Sequence, residues 1–416
     1  MNGSDIRLQL SKAKRIVIKV GTNVLLDNLG RTRIENIRGI VREISSLIKE
    51  GKEVVLISSG AIGSGIETFN WKKRPEKIHH LQMAAAVGQV KLMTHYSEIF
   101  SDYGINIAQI LLTHQDLEDR TRHLNARASI TNLLQSGILP IINENDVVTV
   151  DEIKFFDNDH LASLVTLLID GDMLIMLSTV DGLLDSSGSR VSFIEGVSEN
   201  SLSLCFKDNS NKLSLGGMLS KLKSASLVVE CGVPVVIAKG LSKEPGKEPG
   251  KERAKESAKE RAEEFVSTEN NIDSFAEKKM NSGIISAILN GEDVGTLIYQ
   301  PSTSKESIDI SMRQKWVKYF HQCSGELVVN KCAAEELIKG NISLLPVGIE
   351  EVRGDFEEGS LIKILGESNQ EICIGLTAYS SKDLKKIIGK RSDSIVKILG
   401  FKHSDEVVHI DNMVYL

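Results

Sequence analysis

The feature that most constrains this chain is an alternation. Over residues 14–240, short continuous apolar runs rich in β-branched residues trade places with amphipathic helical stretches. Arg15–Val20 (RIVIKV) ends at Gly21, and Ile34, Ile37, Ile40, Val41, Ile44, Leu47 and Ile48 then recur at helical spacing until Gly51. Residues 53–58 (EVVLIS) run into a glycine-rich turn. Further strands are predicted at 105–112, 138–142, 173–178 and 235–238, with helices near 78–103, 121–135, 158–169 and 217–231. A strand that is apolar along its whole length has no face to show water. These strands therefore predict a mainly parallel central sheet with helices on both faces, a three-layer αβα sandwich. In such sheets ligands bind beyond the carboxyl ends of the strands, so chemistry is expected in the loops that follow them.

The chain has 416 residues, and a single core stops growing at about 250–300. A second domain is expected at 325–416, where short strand-like segments at 326–329, 360–364, 371–376 and 406–410 alternate with polar turns and suggest a small β-barrel-like fold. The apolar run 294–299 (VGTLIY) completes the first domain, which is placed at 14–300. Between them the composition breaks. From Lys243 the sequence reads KEPG, KEPG, KERA, KESA, KERA, and residues 241–264 hold seven basic and seven acidic side chains. Nothing there can bury enough surface to offset chain entropy, so 241–282 reads as a solvated insertion, with a functional tether as the other reading.

Composition narrows the class. The net charge is −6, which argues against a chain that coats nucleic acid, and aromatics at 5% leave little for base stacking. Five scattered cysteines (205, 231, 323, 332, 373) form no C-x-x-C pair, and the N-terminus lacks a secretory h-region. The longest apolar stretch is broken by Asp170 and Asp172, short of the roughly 20 residues a membrane span needs. The expectation is a reduced, cytoplasmic protein.

The loops hold the candidates. Lys19 lies inside an apolar strand, costly unless paired, although it could also snorkel at the strand end. Ser58, Ser59, Gly60 and the glycines at 63 and 65 follow the second strand; they suit an anion or simply make a tight turn, and they match neither a P-loop nor a Rossmann fingerprint. Asn143, Glu144, Asn145 and Asp146 follow Ile142, and Asp157, Asn158 and Asp159 come soon after. One such cluster is ordinary capping chemistry, but two suggest a shared polar site that could steady lysines or hold Mg²⁺. No spacing suggests zinc, and the adjacent His79 and His80 read as surface residues that point apart. Ser178 and Thr179 follow the fifth strand. Leu215, Gly216, Gly217, Met218, Leu219, Ser220 and Lys221 place a Gly-Gly pair at the opening of a helix with a lysine one turn inside, which is either a phosphate site or a hinge. Together these features point to phosphoryl transfer to an acid. Lys19 and Lys221 would flank the migrating group, carboxylates would orient them, and an acceptor already ionised at neutral pH would need no general base.

The ordered motifs IKVGTNVL, LISSGAIGSG, LLTHQDLEDR, PIINENDVV, DND and GGMLSK resemble the glutamate 5-kinases of the amino acid kinase superfamily. The tail GELVVNKCAAEELIKGNISLLPVGI resembles a PUA domain. The resemblance implies transfer of the ATP γ-phosphoryl group to the side-chain carboxylate of L-glutamate, the step that opens proline biosynthesis. It assigns Lys19 and Lys221 to the transferring group and Asp159 to positioning them. It assigns Ser59, Asn143, Asp146 and Asn158 to glutamate, and Lys19, Ser178, Thr179 and 215–221 to ATP. It also implies Mg²⁺, feedback inhibition by proline, a homo-oligomer (tetramer or dimer) and coupling to glutamyl phosphate reductase. Ser214-Leu215 replaces the family's Gly-Thr, Phe156 stands where glycine is common, and the insertion is unusually long. Two rival readings are a sister kinase acting on N-acetylglutamate, aspartate or carbamate, and an RNA-binding protein. Against the second, residues 325–416 carry 11 Lys/Arg and 15 Asp/Glu, although 382–402 is locally basic.

Overall fold

The structure, a computed structural model, describes residues 3–27, 30–148, 158–204, 212–240, 283–300, 323–340 and 342–415. The charged insertion expected at 241–282 lies outside them, as do Asp157 and Phe156. The chain divides into two compact units, Met1–Thr113 with Arg127–Pro301, and His114–Ala126 with Ser302–Leu416.

The first unit is built on eight strands: β1 (Arg15–Val20), β2 (Glu53–Ile57), β3 (Ile107–Leu112), β4 (Leu139–Glu144), β5 (Met173–Ser178), β6 (Phe193–Glu195), β7 (Val235–Lys239) and β8 (Thr296–Tyr299). They lie in the order β3-β4-β2-β1-β5-β7-β8-β6. Six neighbours from β3 to β7 run parallel; β8 runs antiparallel to β7, and β6 pairs parallel with β8. Among the described residues the first ten α-helices are α1 (Gly3–Gln9), α2 (Thr22–Leu25), α3 (Ile34–Lys49), α4 (Ala61–Thr68), α5 (Ile78–Ser101), α6 (His114–Glu118), α7 (Arg120–Gln135), α8 (Asn158–Leu168), α9 (Glu199–Leu204) and α10 (Lys212–Val229).

Strand alternation decides which side chains meet which helices. Ile16, Ile18 and Val20 join Ile37, Ile40 and Ile44 of α3 and Leu92 and Tyr96 of α5 in one fully covered cluster. Val17 and Lys19 therefore point to the opposite face, where α8 lies. That face accounts for the apolar character of β1 on both sides and for the one lysine within it.

Two boundaries differ from the sequence reading in ways that matter for the site. β4 continues through Glu144, so Asn143 belongs to a strand and not to a loop; its pairing with Leu111 of β3 carries the ladder past Ile142. Helix α10 begins at Lys212, so Gly216 and Gly217 lie within it and do not open it. His79 and His80 also differ: their rings meet edge to face, 4.6 Å between centroids.

At Gly283 a tie to α3 fixes the chain. The Glu43 carboxylate accepts hydrogen bonds from the amides of Ile285 (2.7 Å) and Ser286 (3.1 Å), satisfying the first turn of the helix Ile284–Leu289 from a distant element.

The second unit holds a five-stranded sheet in the order β10-β9-β11-β12-β13, from β9 (Gly325–Val329), β10 (Ile349–Gly354), β11 (Leu361–Leu365), β12 (Glu371–Leu376) and β13 (Met413–Tyr415). The strand expected at 406–410 is not one: Val408 makes a single bridge to Leu344. β10 escaped the pattern because Glu350, Glu351 and Arg353 interrupt its apolar residues, of which Ile349 and Val352 face inward. Leu327, Val329, Ile362, Ile364 and Tyr379 centre this unit's own core.

Candidate active site

Lys19 is the penultimate residue of β1, in register with Ile57 of β2 and Met176 of β5. Its side chain is only 3% exposed, so its ammonium must be compensated inside the protein. Asp159, the second residue of α8 and fully buried, supplies the charge. Its Oδ1 lies 2.7 Å from Lys19 Nζ, and its Oδ2 accepts a hydrogen bond from Lys221 Nζ of α10 at 2.8 Å. The Lys19 contact is an ion pair whose angle falls outside hydrogen-bond geometry. One carboxylate thus holds two cations from elements 202 positions apart in sequence. Burial alone would raise the Asp159 carboxyl; the charges of Lys19 and Lys221, and their contacts with its oxygens, outweigh that and hold it below the usual carboxylate range. Below the triad, Ser163 Oγ of α8 donates to the Ser224 carbonyl of α10 at 2.7 Å. Each serine lies about one turn from its triad partner, so this bond keeps Asp159 and Lys221 level.

A second cluster is made of amides. Asn158 Nδ2 donates to Ser59 Oγ (2.9 Å) and to Asn143 Oδ1 (3.1 Å), and Asn143 Nδ2 donates to Gln89 Oε1 (3.0 Å). Ser59 stands just after β2, Asn143 in β4, and Asn158 opens α8. The structure therefore joins three loop-and-strand residues singled out from sequence and adds Gln89, which lies in the middle of α5 with no local pattern to mark it.

The glycines after β2 set how α4 starts and how closely it packs. Gly60 takes φ +98°, a left-handed turn that opens α4. A Cβ on Gly65 would fall 1.9 Å from the Ala84 carbonyl, and one on Gly88 would fall 1.8 Å from the Ala61 carbonyl. These two glycines let α4 and α5 touch backbone to backbone. Gly21 also has its amide committed, donating to the Leu177 carbonyl at 3.0 Å.

Asp146 sits in the turn after β4, partly exposed. Burial pushes its carboxyl up to about 6, opposed by the charge of Arg74. Ser178 ends β5, and its carbonyl accepts the Gly240 amide at 2.8 Å; Thr179 beside it is exposed. Leu215 and Gly216 lie in α10, followed by Gly217, Met218, Leu219 and Ser220, which are half-buried, one to four residues before Lys221. A Cβ on Gly217 would meet nothing within 4 Å.

Residues 14–239 match the model of the amino acid kinase family, and 325–399 match the PUA domain. Over 408 residues the chain is 38% identical to a glutamate 5-kinase of Thermoanaerobacter sp. (strain X514), covering 97% of this chain and 98% of that one. The chain belongs to the glutamate 5-kinase family. A second member, from Moorella thermoacetica (strain ATCC 39073 / JCM 9320), is 35% identical over 421 residues and is covered, like this chain, in full. Among solved structures, the UMP kinase from Bacillus anthracis aligns with a TM-score of 0.40 and 14% identity, over 70% of this chain and 97% of that one.

Kinases of this class work with a divalent ion, and the donor set can be tested for one. Both oxygens of Asp159 are taken by lysines. Among the described residues no group of three His, Cys, Asp or Glu side chains could hold a metal. The described residues therefore do not fit an ion held by protein ligands alone. No helix among them is long and apolar enough to cross a membrane.

Proposed function

We propose that this kinase transfers the γ-phosphoryl group of ATP to the side-chain carboxylate of L-glutamate, with the Lys19–Asp159–Lys221 triad as the observation that carries the reading. A carboxylate oxygen of glutamate attacks the γ-phosphorus, the bond from that phosphorus to the β,γ-bridging oxygen breaks, and ADP leaves with the bond's electrons. No proton moves, because the acceptor is already ionised, and the site accordingly needs no base. What the reaction needs is a means of holding two anions together. Two ammonium groups against one carboxylate leave a net positive charge in a water-poor pocket, aimed before the substrates arrive.

The amide cluster suits the other end of the substrate. Asn158 Oδ1 is buried without a hydrogen-bond partner, and the Ser59 hydroxyl has accepted a bond but can still donate one. An acceptor and a donor side by side match the ammonium and carboxylate of a free amino acid. Asp146 adds a negative charge for the ammonium. Ser178, Thr179 and 215–221 are assigned to the nucleotide, with Mg²⁺ carried on its phosphates. The proposal includes kinase and PUA-like domains at 14–300 and 325–416, proline as feedback inhibitor, a homo-oligomer, coupling to glutamyl phosphate reductase and a cytoplasmic location; these rest on the family resemblance.

Hydroxylamine traps an acyl phosphate as a hydroxamate. With ATP and Mg²⁺, the purified protein should form γ-glutamyl hydroxamate from L-glutamate. Formation from N-acetylglutamate or aspartate, and not from glutamate, would reject the assignment.

A further inference from the structure

We infer that Gln89 is a positioning residue that fixes which atom of Asn158 meets the substrate, and that it thereby selects for a free ammonium group. The inference rests on the reading that this site binds glutamate.

The argument begins with a group that has no choice. The backbone N–H of Glu144 can only donate, and it donates to Asn143 Oδ1 at 2.9 Å. That contact turns Asn143 Nδ2 to the other side, where it needs an acceptor, and Gln89 Oε1 provides one at 3.0 Å. With its orientation held from both ends, Asn143 presents Oδ1 to Asn158, which must answer with Nδ2 (3.1 Å). The same Nδ2 also reaches Ser59 Oγ (2.9 Å), so both its protons are engaged. Only Oδ1 of Asn158 is left to face a ligand, and it is buried with no partner. A buried, unanswered carbonyl oxygen favours whatever brings it a donor. An ammonium group brings three. The carbon chain of a dicarboxylate lacking the amine brings none.

Gln89 can reach Asn143 only because α5 lies unusually close to the turn after β2. Gly88, its neighbour, is the residue whose Cβ would strike the Ala61 carbonyl at 1.8 Å and the Gly65 amide nitrogen at 2.4 Å. Gln89 itself is 8% exposed and is neither a group at the reacting atoms nor a member of the charged triad. Its effect passes through two amides.

The test compares L-glutamate as substrate with glutarate, the same dicarboxylate without its amine, as competitor. Gln89→Met keeps the bulk and removes the acceptor. It should raise KM for glutamate about tenfold or more while leaving kcat and KM for ATP within about threefold, as expected when a buried hydrogen-bonding arrangement is broken. The inhibition constant of glutarate should stay put. Gln89→Glu retains acceptor oxygens and should restore most of the glutamate KM. Equal losses for glutamate and glutarate, or a Gln89→Glu variant as impaired as Gln89→Met, overturn the inference in favour of a packing role. If Gln89→Met fails to fold, Gln89→Glu decides alone, since a wild-type glutamate KM supports the inference and a tenfold rise overturns it. Wild-type protein that forms no hydroxamate from glutamate overturns the functional reading and this inference together; an active wild type matched by Gln89→Met overturns the inference alone.

Discussion

Asp159 pairs with two cations at once and leaves one positive charge over, so substitutions in the triad separate charge from shape. Lys221→Ala removes a group proposed to meet the migrating phosphoryl and leaves Asp159 paired with Lys19. Turnover should fall about 10²–10³-fold with the far-ultraviolet circular dichroism unchanged; undiminished turnover would remove Lys221 from the chemistry. Asp159→Asn leaves two buried ammonium groups facing a neutral amide, and urea denaturation should show a loss of roughly 3–5 kcal/mol. Asp146 offers a pH test. Its raised carboxyl means the folded protein holds that proton more tightly than the unfolded chain does. Its contribution to stability is therefore largest in acid and is lost as pH rises from 3.8 toward about 6. Glutamate binding runs the other way, because the ammonium needs the ionised form. KM for glutamate should climb as pH drops below about 6 and stay flat in Asp146→Asn; a wild-type profile without that climb would sink the assignment. At this scale legibility depended on chemistry out of place. A lysine in RIVIKV violates the pattern of a buried strand, and so it was visible. Gln89 violates nothing in a long mixed helix, and its importance arises only when α5 is brought against β4.

Elements here are held by contacts between backbones, where sequence offers little beyond the presence of glycine. Gly65→Ala and Gly88→Ala each force a methyl into a carbonyl oxygen less than 2 Å away. Both should cost about 1–3 kcal/mol and raise KM for glutamate, because α4 starts from the turn that carries Ser59. Gly63→Ala meets instead the tip of Leu26, a side chain able to swing aside, and should cost less. Melting temperatures of the three variants would rank them, and the reverse order would contradict the packing described. The same limit explains which element boundaries were misread. Apolar runs announce β1, β2, β5 and β7 because all but one end residue of each is buried. The end of β4 lies in polar Asn143 and Glu144, whose strand geometry is set by neighbouring β3. The start of α10 precedes a Gly-Gly pair that normally discourages helix, so the pattern placed the boundary too late.

For the whole molecule, the alternation of strands and helices was enough to require a parallel sheet, and the length was enough to require a second unit. The basic stretch 382–402 is partly answered by its own acids: Lys386 pairs with Asp383 at 3.1 Å, and Lys402 pairs with Asp405. That local neutralisation fits a solvated surface better than one that grips phosphates. Deleting 243–262 should leave kcat and both KM values near wild type, since no residue of the triad or the amide cluster falls there; a loss of more than about tenfold, 1.4 kcal/mol in the barrier, would show that the segment takes part.

Glu43 gives that deletion a wider meaning. The Gly240 amide is fastened to the Ser178 carbonyl, and the chain beyond Gly283 is fastened by a carboxylate on α3. Neither anchor uses any atom from the intervening residues. The enzyme therefore carries a socket with both terminals wired in, where a fluorescent reporter or a purification handle can be spliced. One terminal adjoins the end of β5, so a dye placed there would sit next to the strand assigned to the nucleotide and could report its arrival as a change in colour or brightness.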